Sequence, residues 1–273
     1  MRNDKKYFFM AGMPRSGSTL LATILNQNPD VYVSAQSPLP NLIGSAYNQY
    51  QSKESLDSSR FEDIYNVVDS VIPLFYEKHP EKYIIDKNFS WLEPHPYVIL
   101  ENHLKNDIKV ICPVRDVLDI LASWNSLCER DKNNSYDKEI LKGDRSKLPI
   151  ADKRAKYFME SGIDENGIKS SLHNMTRVLY PEFKDNILLV DYESLTTKTK
   201  ETLEDVYTFL DIEPYEHTFD NLKTTHEYTD HWGVKGHHEV KPEVRKTEHD
   251  LSKIFLPSTI QRYSGLEFWK NIG

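Results

Sequence analysis

The chain has 273 residues, 38% of them hydrophobic and 11% aromatic. That is enough apolar side chain to build one large α/β domain and too much for a disordered chain. A formal net charge of −8 excludes a general nucleic-acid binder, whose footprint is basic, while leaving room for a local cluster of cations around a small anion.

The first predicted element is a buried strand over 7–12, where YFFMA forms a short apolar run. This run is too short for a signal peptide and passes straight into a turn, and no stretch reaches membrane-spanning length. A soluble, cytoplasmic protein with no nucleic-acid or membrane partner is expected. Gly12-Met13-Pro14-Arg15-Ser16-Gly17-Ser18-Thr19 follows, and then Leu20, Leu21, Ile24 and Leu25 at helical spacing, predicting a helix over 18–27. Strand, glycine turn and helix N-terminus together offer backbone N–H groups and a positive dipole end to an anion. The spacing matches G-x-x-x-x-G-K-[ST], except that Ser18 holds the lysine position and the nearby cation is Arg15. A lysine there would reach the β/γ-phosphates of a triphosphate. Without it, the hydroxyls of Ser16, Ser18 and Thr19 suit a single 5′-phosphate better. An ordinary Gly/Ser turn is the structural alternative, against which stand Pro14, Arg15 and the three hydroxyl residues.

Further strands are predicted over 82–86, 108–114 and 187–191, and further helices over 61–79, 95–105, 116–129, 166–180, 198–210 and 257–270. Alternation of the two implies a parallel sheet with helices on both faces, and continuous apolar runs fit strands covered on both sides. Lys87, in Ile85-Asp86-Lys87-Asn88, closes the second strand as a candidate cation or as a surface lysine beside Asp86. Arg115 closes the third, where open α/β sheets bind ligands. The helix after it carries Val117, Ile120, Leu121, Trp124 and Leu127 as one apolar stripe, with Ser123 about two turns beyond Arg115. A structural ion pair from Arg115 to Asp116 or Asp119 is the competing reading.

Residues 129–170 are highly charged without a clear period, which favours a solvated surface insertion over a substrate lid. The segment 217–249 holds six of the ten histidines, at spacings that fit no metal motif. Cys112 and Cys128 sit in apolar patterns, as buried small hydrophobes do.

PRSGSTLL (14–21), VRDVLDILASW (114–124) and VDYESLTTKTKETLEDVYTFLDI (190–212) together resemble the three markers of sulfotransferases that use 3′-phosphoadenosine 5′-phosphosulfate (PAPS). The resemblance covers most of the chain, is weakest over 40–80 and 129–170, and is closest to the bacterial and tyrosylprotein-type branch, whose loop carries Arg where cytosolic enzymes carry Lys. It implies an α/β fold, with 1–273 as a single three-layer P-loop NTPase-like domain. It also implies in-line transfer of a sulfuryl group from PAPS to a hydroxyl of a small molecule, glycan or protein tyrosine, without a metal. Arg15, Ser16, Gly17, Ser18 and Thr19 would hold the 5′-phosphosulfate. Arg115 and Ser123 would hold the 3′-phosphate, and Tyr192 would lie near the adenine. GVKGHHEVKP (233–242) resembles the family's closing loop, so Lys235 or Lys241 would complete the 3′-phosphate pocket.

Arg15 and Lys87 are the catalytic candidates under this resemblance, the lysine matching one that assists the leaving or transferring group. Tyrosylprotein enzymes keep a glutamate after the first helix, where this chain has Gln36. Cytosolic relatives use a histidine two residues past the lysine, where it has Phe89. Neither side chain accepts a proton usefully, which leaves Asp86, Glu93, His95 and His238 as substitutes. Two other readings stay open: a P-loop kinase with a degenerate lysine position, and a non-catalytic nucleotide-binding module that lost its base.

Overall fold

The computed structural model describes residues 5–53, 57, 61–94, 96–97, 100, 108–161, 167–226, 234 and 236–272. The chain folds around a five-stranded sheet built from β1 (Lys6–Met10), β2 (Val31–Val33), β3 (Tyr83–Lys87), β4 (Val110–Val114) and β5 (Ile187–Asp191). The order is β2-β3-β1-β4-β5, and every pairing is parallel. The α/β three-layer expectation holds. β2 is the strand the periodicity missed, because three residues are too few to show an alternation.

The two faces of the sheet separate by alternation along β1. Phe8 and Met10 join one apolar cluster with α1 (Ser18–Leu25), α8 (Tyr192–Thr197) and α9 (Thr199–Leu210), through Leu21, Ile24, Leu195 and Tyr207. Phe9 and Ala11 join the other cluster, with Trp91, Ile120 and Leu121. That second layer contains α2 (Leu39–Tyr50), α3 (Phe61–Phe75), α4 (Val117–Arg130), α5 (Ser135–Gly143), α6 (Ile150–Lys156), α7 (Ile168–Met175), α10 (Leu251–Ile254) and α11 (Pro257–Tyr263). Residues 95, 98–99 and 101–105 of the helix expected over 95–105 lie outside the described residues.

Two boundaries differ for local reasons. The helix expected over 166–180 tightens after Met175 into a 3-10 turn, Thr176–Leu179. The one expected over 257–270 stops at Tyr263, where Gly265 at φ 73° turns the chain. The solvated insertion expected over 129–170 is corrected more substantially. Tyr136, Ile140, Phe158 and Met159 are buried in the main core. Arg154 lies buried between Asp137, at 2.6 Å, and Asn125, at 2.7 Å. Its surface charges hid two short amphipathic helices, each below the length at which a 3.6-residue period is legible.

The β1–β4 ladder covers Phe9–Val110 and Met10–Ile111, continues through Ala11 N to the Ile111 carbonyl at 2.9 Å, and ends with Met13 N at the Pro113 carbonyl at 3.4 Å. This is the point where strand order reverses, and it opens a crevice at the carboxyl ends of the strands. Pro113 sits on the β4 side of the opening, where the missing N–H costs no pairing bond. Gly12, at φ 103°, passes so close that a Cβ would lie 2.5 Å from the Pro113 carbonyl oxygen.

Candidate active site

The loop from Gly12 to Gly17 leaves β1 and delivers α1 into the crevice. Arg15 takes a left-handed φ of 64°, unusual for a side chain this bulky, and Ser16 is pinned by donating to the Met13 carbonyl at 2.6 Å. Gly17 caps α1 at φ 96°, and a Cβ there would meet Tyr192 Cδ2 at 2.8 Å. The backbone N–H groups of Gly17, Ser18, Thr19 and Leu20 find no acceptor among the described residues. They form the positive end of α1, which suits an anion.

Three cations converge on this loop from separate elements. Arg15 Nε donates to Ser123 Oγ on α4 at 3.3 Å, and its Nη1 donates to the His237 carbonyl. Arg115, at the end of β4, donates to the carbonyls of Arg15 at 3.4 Å and Thr247 at 3.2 Å. Its guanidinium lies 4.1 Å from the centroid of the Tyr192 ring, while its buried Nε has no partner. The ion pair considered for Arg115 is absent: Asp116 caps α4 and pairs with Lys270 at 3.2 Å. Ser123 stands beside Arg15 and lines the same cavity as Arg115.

Lys87 is the third. Its backbone is clamped, its N–H donating to Ser34 Oγ at 2.8 Å and its carbonyl accepting from Ser37 N at 2.9 Å. The side chain is only 2% exposed and makes no hydrogen bond or ion pair among the described residues. Burial pushes its ammonium down to about 8. Arg15 is lowered to about 10 by burial and then by Arg115 and Arg130. Arg15, Arg115 and Lys87 make no ion pair with a carboxylate among the described residues, and cations so gathered form a site poised for a multiply charged anion.

These groups line one cavity of about 900 Å³, together with Ser18, Thr19, Gln36, Phe89, Trp124 and Lys241. Its roof is the strap 236–249, whose His237 and Thr247 carbonyls take the two arginine bonds. The strap is also fixed by Leu222 N to the Pro242 carbonyl at 2.8 Å and by Lys246 to Glu193 at 2.8 Å. Lys241 donates to Thr247 Oγ1 at 3.0 Å; burial and then Arg245 lower its pKa. Lys235 and His95 lie outside the described residues.

Of the substitutes for a base, Asp86 faces the helical layer and not the cavity, held by Tyr76 and by Trp91 Nε1 at 2.6 Å. Glu93 does not line the cavity, whereas His238 does. Sequence reasoning missed His237, Arg130, Tyr136 and Phe158 as lining residues. Trp124 was legible only as part of the apolar stripe, yet its ring stacks on Phe158 at 4.5 Å and 15° to form one wall.

A profile of the sulfotransferase domain matches residues 5–251. The chain belongs to the sulfotransferase domain family. No curated protein matches it, but solved structures of the fold do. The sulfotransferase domain of the olefin synthase from Synechococcus PCC 7002 superposes with a TM-score of 0.58 at 18% identity, over 98% of this chain and 96% of that one. The sulfotransferase domain from the curacin biosynthetic pathway gives 0.53 at 16%, over 98% of both chains. The mouse sulfotransferase SULT7A1, complexed with PAP, gives 0.55 at 14%, over 97% and 84%. At these identities the likeness is one of fold. Within the sulfotransferase fold, the Arg15 loop and Arg115 occupy the switch-point crevice, and no described helix is long and apolar enough to cross a membrane.

Proposed function

We propose that this sulfotransferase-family chain moves the sulfuryl group of PAPS to a hydroxyl acceptor. The observation that carries the reading is one cavity that holds buried Lys87 and half-buried Arg15 beside the unpaired N–H groups of α1, and buried Arg115 at the end of β4. A ligand with one phosphate group at each end of a nucleoside matches that division. The chain's groups fit PAPS: unpaired N–H groups at the start of α1, an aromatic face at Tyr192, and a buried Arg115 Nε without a partner.

In this reading Arg15, Ser16, Gly17, Ser18 and Thr19 hold the 5′-phosphosulfate. Arg115 holds the 3′-phosphate, with Lys241 and Lys235 from the strap. Ser123 supports the site by fixing Arg15 at Nε. Tyr192, already stacked on Arg115, presents its ring to the adenine. When bound, PAPS supplies a sulfuryl group whose bridging oxygen departs with the 5′-phosphate. Lys87 and Arg15 meet the charge that grows on that oxygen, and in a desolvated site they do so with little reorganisation. The segment 217–249, whose strap 236–249 roofs the cavity, closes over the donor. The 129–170 segment, through Tyr136 and Phe158, shapes the acceptor side as a lid, for a small-molecule, glycan or protein-tyrosine hydroxyl.

The test is transfer of labelled sulfate from PAPS to a panel of hydroxyl acceptors. Arg15→Ala and Arg115→Ala should each abolish the product, and full transfer by both variants would refute the site.

A further inference from the structure

We propose that the His237 side chain is the general base of this enzyme, taking the acceptor's proton as the acceptor oxygen attacks sulfur. The inference rests on the PAPS reading above. The O–H bond of the acceptor breaks as its proton passes to an imidazole nitrogen. A new oxygen–sulfur bond forms, and the bond from sulfur to the bridging oxygen breaks, its electron pair leaving with the 5′-phosphate.

Elimination and geometry point to the same residue. The cavity offers Gln36 and Phe89 where a base would be convenient, Glu239 is paired with Arg130 at 3.3 Å, Glu243 is exposed, and His249, whose buried Nε2 is also unpartnered, lies at the Arg115 end beside Asp119. Asp86 turns away into the core. His237 lines the cavity, and neither of its ring nitrogens has a hydrogen-bond partner among the described residues. Its ring stacks on His238, at 4.4 Å and 19°, and meets Trp124 at 4.8 Å with a tilt of 57°, which fixes its position in the cavity wall. His238 has a further partner of its own. The main-chain carbonyl of His237 takes the Arg15 bond, which places this ring beside the cation assigned to the sulfuryl end.

The charged groups around the ring are Arg15 from the loop, Lys87 from β3, His238 from the strap and, further out, the Arg130–Glu239 pair. Burial, then His238, Arg15 and Lys87, push the imidazole down to about 3. In the free site the ring is therefore deprotonated and only weakly basic. A multiply charged anion in the loop offsets the same cations, so His237 gains basicity when the donor is in place.

The test uses the full chain and His237→Gln, which retains the carbonyl bonded by Arg15. Labelled PAPS is offered with phenol, neutral at the assay pH, and with an acidic nitrophenol that is already ionised. The variant should lose about 10²–10⁴-fold in kcat with phenol, while staying within a few-fold of wild type with the nitrophenol and in affinity for 3′,5′-adenosine bisphosphate. Equal loss with both acceptors, or a tenfold loss of bisphosphate affinity, would overturn the assignment. A histidine NMR titration of wild type, independent of acceptor, should place the His237 midpoint well below the ordinary imidazole value and move it up with bisphosphate bound. A midpoint that stays put overturns the proposal even if neither phenol is an acceptor. Failure to bind the bisphosphate at all would sink the PAPS reading instead.

Discussion

The guanidinium carbon of Arg115 lies 4.1 Å from the centre of the Tyr192 ring, so one end of the crevice is a planar cation lying on an aromatic face. Its Nη atoms are spent on the carbonyls of Arg15 and Thr247. Arg115 thus supports the loop and the strap while presenting its buried Nε. Replacing it by lysine keeps the charge but loses the stack and the fork. Arg115→Lys should weaken binding of 3′,5′-adenosine bisphosphate by about 10–100-fold, as expected for a charged hydrogen bond and a cation–π contact worth about 1.5–3 kcal/mol together. Calorimetric titration checks this.

Gly17→Ala tests the other side of the same ring. A methyl group there would lie 2.8 Å from Tyr192 Cδ2, on a backbone at φ 96° that side chains rarely adopt. The expected cost is about 1–3 kcal/mol of stability, read as a lower urea midpoint. Bisphosphate affinity should fall as Tyr192 is pushed off Arg115.

Lys87 links function to stability through pH. Its folded-state pKa of about 8 is below the ordinary 10.5, so its burial destabilises the fold fully below pH 8. That penalty is relieved as pH rises towards 10.5. The shift corresponds to ~3 kcal/mol. Lys87→Met should therefore raise the melting temperature at pH 7 by several degrees while removing sulfuryl transfer. Wild-type affinity for the bisphosphate should fall as pH rises past about 8, because the anion favours the ammonium form. That dependence should be missing in the variant.

The Arg154–Asp137 pair tests whether 129–170 is a packed part of the domain. Burial alone would raise Asp137, but hydrogen bonds from Arg154 and Asn134 and the Arg154 charge outweigh it and leave the carboxyl below its ordinary value. Its stabilising contribution is present above the ordinary aspartate pKa and is lost as pH falls through the folded-state value. Asp137→Ala removes the two-oxygen partner of a buried guanidinium, leaving it only Asn125 at 2.7 Å and Glu129 at 3.7 Å, and should cost about 3 kcal/mol, measured by urea unfolding at neutral pH.

The sequence made the sheet and the loop legible where chemistry and periodicity coincide. YFFM, ILLVD and the apolar stripe of α4 each gave an element within two residues of its observed bounds. Lys87 and Arg115 were legible because each stands at the end of a strand, and Arg15 because it lies in the glycine loop between β1 and α1. His237 was not, since its place depends on a strap with no regular structure, tied down by Arg15 across 222 residues of chain. The Trp124–Phe158 wall was hidden because it joins α4 to a turn after α6, a contact no local period reports.

The most direct test of the PAPS reading is a thermal-shift titration of the wild-type chain with 3′,5′-adenosine bisphosphate and, separately, with ATP and Mg²⁺. A ligand that binds the native state raises the melting temperature by mass action. The site described here predicts a saturable rise with the bisphosphate, lost in Arg15→Ala and Arg115→Ala. Stabilisation by ATP and Mg²⁺ with none from the bisphosphate would contradict it.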